Sequence, residues 1–189
     1  MTQPAARPYV LLDRDGTLLE ERDYAYRPAD YAPLPGAHRA VARLRAAGFG
    51  VVVITNQSGI GRGVFSAADY SIFEAIFLRD FAAHGAELDG CYHCPHAPDE
   101  ACECRKPGVA LARRAAREHA IDLARSWVIG DKDSDVAFAR NLGCHAVLVL
   151  TGHGAEHAAH LPAKTRIARD LPDAVSRYVL AAAPAQSER

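Results

Sequence analysis

Short apolar runs alternate along the chain with stretches of helical periodicity. Four of the runs, PYVLL (8–12), GVVVIT (50–55), SWVIG (126–130) and HAVLVL (145–150), hold few polar residues. Runs this short and continuous predict strands buried on both faces, the condition of a parallel sheet. Between them, PGAHRAVARLRAAG (35–48) has proline at its start and glycine at its end, which brackets a helix. SAADYSIFEAIFLRDFAAHG (66–85) opens with Ser66 and Asp69 at capping-box spacing. Its Ile72, Phe73, Ile76, Phe77 and Phe81 are expected to form one apolar stripe. Further helices are predicted over 108–120, 133–143 and 171–180, followed by a frayed tail at 181–189. Strand, helix, strand, helix means an α/β fold, a Rossmann-like parallel sheet sandwiched by helices. The expectation is a single domain over 1–189, with no internal repeat and no insertion long enough for a folded cap domain.

Composition narrows the function classes. The chain has 189 residues, 49% hydrophobic and 24% charged, with a formal net charge of −1. That balance gives no electrostatic support to a nucleic-acid or membrane-surface role. No apolar run approaches the ~20 residues of a membrane span, and MTQPAARPYV lacks the apolar core of a signal peptide. Five cysteines, an odd number in a chain large enough to fold without staples, argue for a reducing compartment. A soluble cytoplasmic protein is expected, able to act as a monomer.

In parallel sheets, chemistry collects in the loops after the carboxyl ends of the strands. Here those loops read DRDGT after the first run, TNQSG after the second and GDKDSD after the third, with RKP shortly before the helix that leads to the third. Asp13 and Asp15 lie two residues apart beyond an apolar strand, and carboxylates so close need a cation or a shared proton. Asp131 offers a third oxygen ligand, and Mg²⁺ suits such a set. A carboxylate held there can attack phosphorus, while its neighbour gives a proton to the leaving oxygen and then activates water. Thr55 and the backbone after it would cradle phosphoryl oxygens, and Lys106 would offset their charge.

Four of the five cysteines fall between Cys91 and Cys104, with His93 and His96 among them. Two tetrahedral Zn²⁺ sets compete: Cys91, Cys94, Cys102 and Cys104, or Cys94, His96, Cys102 and Cys104. Either fills all four positions, so the zinc would be structural, and a loop locked over about 91–107 would fix where Arg105 and Lys106 point. GIGRG (59–63) lacks nucleotide-loop spacing and is expected to carry Arg62 toward a substrate. Asp135 is placed to orient Lys132 or metal-bound waters, Cys144 and Trp127 are expected in the core, and a second metal at His153, His157 and His160 is disfavoured.

The order DRDGT, Thr55, Lys106, GDKDSD resembles the four motifs of the haloacid dehalogenase superfamily of phosphotransferases. Within it, LDRDGTL, TNQSGIGRG, CPH…CECRKP and VIGDK resemble the D-glycero-D-manno-heptose 1,7-bisphosphate 7-phosphatase family, from about Leu11 to Gly154. The resemblance implies hydrolysis of the 7-phosphate of that sugar bisphosphate, through an aspartyl-phosphate, in nucleotide-activated heptose synthesis for lipopolysaccharide. It implies Asp13 as nucleophile and Asp15 as proton donor, with Asp13, the Asp15 carbonyl and Asp131 holding Mg²⁺. Thr55 and Lys106 would stabilise the transferring group. Glu21, Arg22, Asp23, Tyr24, Asn56, Gln57, Ser58, Arg105 and Lys132 would contact the sugar phosphate. It also selects Cys94, His96, Cys102 and Cys104 as the zinc ligands. Two other readings stand: a histidinol-phosphate phosphatase, which shares CRKP and the zinc pattern, and a non-enzymatic zinc-binding module, which leaves the three aspartates unexplained.

Overall fold

The computed structural model describes residues 5–182. Among these, β1 (Tyr9–Leu12), β2 (Gly50–Asn56), β3 (Gly90–Cys94), β4 (Trp127–Gly130), β5 (His145–Val149) and β6 (Arg166–Ala168) form one sheet in the order β3-β2-β1-β4-β5-β6. Every pairing is parallel. The four predicted runs are β1, β2, β4 and β5. Outside them are β6, only three residues long, and β3, whose sequence GCYHC buries one large apolar side chain and so gives little hydrophobic signal.

The continuous apolar character of the strands follows from cover on both faces. Val10, Leu12, Val51, Val53, Ile129 and Val147 point into one core. There they meet α1 (Ala37–Ala46), α3 (Ala67–Ala83) and α7 (Leu171–Ala174), with Val41, Leu44, Phe77 and Leu171 among the contacts. Tyr9, Leu11, Val52, Ile54 and Val128 point into the other core. That side is closed by α4 (Ala110–His119) and α5 (Asp133–Leu142) through Ala112, Ala115 and Phe138. Two shorter helices, α2 (Ser58–Gly61) and α6 (Gly154–Ala158), follow β2 and β5.

Ser66 caps α3 as its spacing implies: the Asp69 N–H donates to Ser66 Oγ at 3.1 Å and the Ser66 N–H to Asp69 Oδ2 at 2.9 Å. The expected stripe needs one correction. The inward line is Tyr70, Phe73, Phe77 and Phe81, while Ile72 is 57% exposed and Ile76 only half-buried. At about 100° per residue, a side chain next to Phe73 is turned off the face that Phe73, Phe77 and Phe81 share. The predicted helix at 171–180 is present, but after α7 it continues through a π-helical segment, Val175–Val179. Of the expected frayed tail, residues 183–189 lie outside the described residues.

The strand order reverses between β1 and β4, which are hydrogen-bonded neighbours with Leu12 opposite Ile129. Their following loops therefore open side by side at a topological switch point. The Asp13 N–H extends the ladder to the Ile129 carbonyl at 3.0 Å, so Asp13 is held as rigidly as the strand itself. Residues 14–36 fold over this end of the sheet, burying Leu18, Leu19 and Ala25, with the Leu34 N–H donating to the Leu18 carbonyl at 2.9 Å.

Truncation of Phe77 to alanine is expected to cost about 3–5 kcal/mol by leaving a cavity under α3. Ile72→Ser should change stability by less than about 0.5 kcal/mol. Urea unfolding of both variants checks this, and equal losses would contradict the inward face described.

Candidate functional site

A pocket of about 290 Å³ opens at the carboxyl end of the sheet. Its lining includes Asp13 and Asp15 after β1, Thr55 and Asn56 at the end of β2, Gln57 and Ser58 at the turn into α2, Arg105 and Lys106 before α4, and Lys132, Ser134 and Asp135 at the start of α5. Glu21, Arg22, Asp23, Tyr24 and Ala25 form the wall contributed by the loop after β1. All of these but Ala25, Ser134 and Asp135 were expected contacts. Arg62 is the exception on the other side: it is exposed, outside the lining, because α2 turns the chain away before it.

Asp13 and Asp135 line the floor, and Asp131, fully buried and outside the lining, lies against them. Ligand oxygens of Asp13, Asp131 and Asp135 lie within 4.8 Å of one another, and all three residues are buried. Lys106 answers part of this charge, with Nζ 2.7 Å from Asp13 Oδ1 and 2.6 Å from Asp135 Oδ1. Burial alone would lower the Lys106 ammonium, but Asp13 and Asp135 outweigh it and hold its pKa above the ordinary value. Asp135 thus orients Lys106, and it meets Lys132 only through the backbone, accepting the Lys132 N–H at 3.1 Å. The Lys132 ammonium is engaged instead by Glu21 Oε2 at 3.0 Å.

Asp131 is less well satisfied. Its Oδ2 accepts the His153 N–H at 2.9 Å, but its buried Oδ1 has no hydrogen-bond partner. Burial, followed by the neighbouring Asp13, pushes its pKa up to about 8. A buried carboxylate oxygen facing another carboxylate fits a hard divalent cation such as Mg²⁺. Gly16 leaves the room: its φ is +79°, and a Cβ there would run into the Asp131 carboxylate.

Asp15 is held differently. Arg14 Nε donates to Oδ1 at 3.0 Å and NH2 to Oδ2 at 2.9 Å, while Gln57 Nε2 donates to Oδ2 at 2.9 Å and to Thr55 Oγ1 at 2.9 Å. Asn56 clamps the backbone of Lys106, accepting its N–H at 3.0 Å and donating to its carbonyl at 3.4 Å. Tyr24 adopts φ +62°, in the left-handed region, with its ring edge-on to Phe65. Arg105 NH1 is buried without a partner. Arg14 and the clamping role of Asn56 were not foreseen. The available signal was an arginine set between two carboxylates directly after a buried strand.

Beside the pocket, Cys94, His96, Cys102 and Cys104 converge, with Cys94 Sγ 3.1 Å from Cys104 Sγ and 3.8 Å from Cys102 Sγ, and His96 Nδ1 3.1 Å from Cys104 Sγ. A tetrahedron with bonds near 2.3 Å has edges of about 3.8 Å, so this set could close on a zinc ion. Cys91 is not in the group; it lies on β3 among Tyr70, Glu74 and Arg14, and burial pushes its thiol pKa up. His93 packs against the Tyr70 ring. The loop also grips the turn after β2, since the Gln57 N–H donates to the Cys94 carbonyl at 2.7 Å and the Gly61 N–H to the Pro95 carbonyl at 2.8 Å.

Two other histidine groups are accounted for internally. His38 Nε2 and Asp80 Oδ2 are 2.7 Å apart, and His84 Nδ1 is 2.8 Å from the Asp80 carbonyl. His153 lies 3.8 Å from Glu21 and His157 3.2 Å from Asp133; the two rings pack edge to face with centres 6.5 Å apart, and among the described residues the 153–160 histidines form no candidate metal cluster.

A family model described as HAD-hydrolase-like matches residues 103–174. The chain is 38% identical over 168 residues to the Pseudomonas aeruginosa D-glycero-beta-D-manno-heptose-1,7-bisphosphate 7-phosphatase, covering 88% of this chain and 94% of that one. It is 38% identical over 190 residues to the Yersinia pestis protein of the same name, covering 94% and 100%. Among solved structures it resembles the D,D-heptose 1,7-bisphosphate phosphatase from B. bronchiseptica complexed with magnesium and phosphate, with a TM-score of 0.86 and 36% identity over 93% of this chain and 100% of that one.

Mg²⁺ added to metal-stripped protein should raise the thermal midpoint, by about 2.7 kcal/mol of stability at a hundredfold excess over Kd. Asp131→Asn should abolish that response. Thermal unfolding with and without MgCl₂ decides it; an undiminished rise in the variant would move the cation elsewhere.

Proposed function

Because the chain belongs to the heptose 1,7-bisphosphate phosphatase branch of the haloacid dehalogenase-like hydrolases, we propose that it removes the 7-phosphate of D-glycero-D-manno-heptose 1,7-bisphosphate. The observation that carries this reading is the end-to-end likeness to enzymes of that name, over a pocket whose charges suit a phosphate monoester.

Asp13, the main-chain carbonyl of Asp15 and Asp131 would hold Mg²⁺, which when bound offsets the negative charge of the phosphate and of Asp13. The Asp13 carboxylate attacks phosphorus, and the bond to the sugar oxygen breaks. Asp15 delivers a proton to that oxygen, so the sugar leaves as a neutral alcohol. Asp15, now a carboxylate, takes a proton from water, which attacks the aspartyl-phosphate and returns Asp13 and inorganic phosphate. Thr55 and the Lys106 ammonium meet the phosphoryl oxygens throughout, and Lys106 must exchange part of its contact with Asp13 for the incoming group. Arg105, with a free buried N–H, and Lys132 suit the remaining anionic end of the substrate. Glu21, Arg22, Asp23 and Tyr24 form the sugar wall, with Asn56, Gln57 and Ser58 opposite.

The same reading gives Zn²⁺ to Cys94, His96, Cys102 and Cys104 as a structural ion. Lys106 stands two residues beyond Cys104, so closing the tetrahedron anchors the approach to the pocket. The enzyme works as a monomer in the cytoplasm, where thiolate ligands stay reduced. Among the described residues no helix is long and apolar enough to cross a membrane.

Phosphate release should show a much higher kcat/KM for the heptose 1,7-bisphosphate, the beta anomer foremost, than for histidinol phosphate. The reverse preference would keep the chemistry and replace the substrate. Asp13→Asn should lower kcat on the order of 10⁴-fold or more while the protein still folds; retained turnover would remove Asp13 from the chemistry. Metal analysis supplies the zinc test: Cys102→Ser should lose zinc and Cys91→Ser should keep it.

A further inference from the structure

Arg14 is among the largest fully buried side chains of the protein, at 1% exposure, and it does not line the pocket. An arginine in such a place is costly to desolvate and needs a defined set of partners. Here the guanidinium lies 4.8 Å from the Phe73 ring centre and 5.4 Å from that of Tyr70. Its NH2 reaches the Ala25 carbonyl at 3.3 Å, its NH1 is buried without a hydrogen-bond partner, and among the described residues its carboxylate contact is the two-point fork onto Asp15. Burial works against its charge, but the Asp15 carboxylate and its hydrogen bonds, together with Tyr70 and Cys91, more than offset this and keep the guanidinium protonated.

The fork decides more than charge. Two parallel N–H bonds to both oxygens fix the rotation of a carboxylate, which a lysine cannot do. Each carboxylate oxygen has about two acceptor sites. Oδ2 fills both, with Arg14 NH2 and Gln57 Nε2. Oδ1 uses one, with Arg14 Nε, and so keeps a site for a proton.

We propose that Arg14 is a positioning residue for phosphoryl transfer, setting the Asp15 carboxylate from behind so that the open site on Oδ1 meets the leaving oxygen. This rests on Asp15 being the proton donor. In the step, the phosphorus–oxygen bond breaks, the leaving oxygen takes the proton from Oδ1, and Asp15 is left as a carboxylate gripped by the guanidinium. Arg14 itself neither touches substrate nor exchanges a proton.

The test exploits the leaving group. An alkoxide needs that proton, whereas p-nitrophenolate departs without it. Values of kcat/KM are measured on the heptose bisphosphate, on glycerol phosphate as a plain alkyl ester, and on p-nitrophenyl phosphate. Arg14→Met should lose about 10²-fold on the alkyl esters and little on the aryl ester. Arg14→Lys, which keeps the charge but not the fork, should show the same split at smaller size and serves if the methionine variant folds poorly. Asp15→Asn is run alongside. If Asp15→Asn shows the split and neither Arg14 variant does, the inference about Arg14 fails alone. If no variant shows it, Asp15 is not the proton donor and both fall. Equal losses on all esters would mark Arg14 as merely structural, and full activity in Arg14→Lys would overturn the fork. Failure to turn over the heptose bisphosphate, with the split intact on glycerol phosphate, would leave Arg14 standing and remove only the substrate.

Discussion

Three buried carboxylates in one small volume dominate this protein. Asp13, Asp131 and Asp135 lie close enough that their charges repel strongly in a dry environment, and a single ammonium, Lys106, is in contact with two of them. Such an arrangement holds only where the backbone is too rigid to let the groups part. The parallel sheet supplies that rigidity. Asp13 and Asp131 follow neighbouring strands at the point where the strand order reverses, and the Asp13 N–H is itself bonded into the ladder. The residual imbalance is what makes the pocket receptive to a cation and then to a phosphate.

Much else is arranged to place Lys106. Its backbone is clamped by Asn56 from the end of β2, and its ammonium is shared by Asp13 and Asp135. The thiol loop brings it in from the third side, since Cys94 and Pro95 also hold the turn that carries Gln57 and Gly61. Arg14 does for Asp15 what these contacts do for Lys106, gripping both carboxylate oxygens from a buried position outside the pocket lining. The charged groups of the pocket are therefore held by residues that stand behind them.

The fold was legible because strands buried on both faces leave an unbroken apolar signature, and polar residues directly after such a strand have few places to be but the rim. Asp13 was readable on that ground, as was the nearness of Asp131 to it, and Thr55 lies one residue before the end of its strand. What escaped was of two kinds. Weak elements, β3 and β6, carry too little apolar surface to register. Pairings distant in sequence or dependent on rotamers, such as Asp135 with Lys106, Asn56 with the Lys106 backbone and the burial of Arg14, are set by where side chains point in three dimensions. Spacing alone does not contain that. The exposure of Ile72 and the outward course of Arg62 failed for a related reason: composition suggested a role that local geometry turned away from the core and from the pocket.

Strand β1 contributes Val10 and Leu12 to one core and Tyr9 and Leu11 to the other, and it is paired on both sides in a single register. A slip of one residue would exchange the two sets and carry Asp13 about 3.3 Å along the strand axis. The alignment of the Asp13 carboxylate and the packing of both hydrophobic layers are thus one mechanical setting. A mutation that keeps both cores in register keeps Asp13 where it was, and the pocket draws its accuracy from the part of the molecule least able to drift.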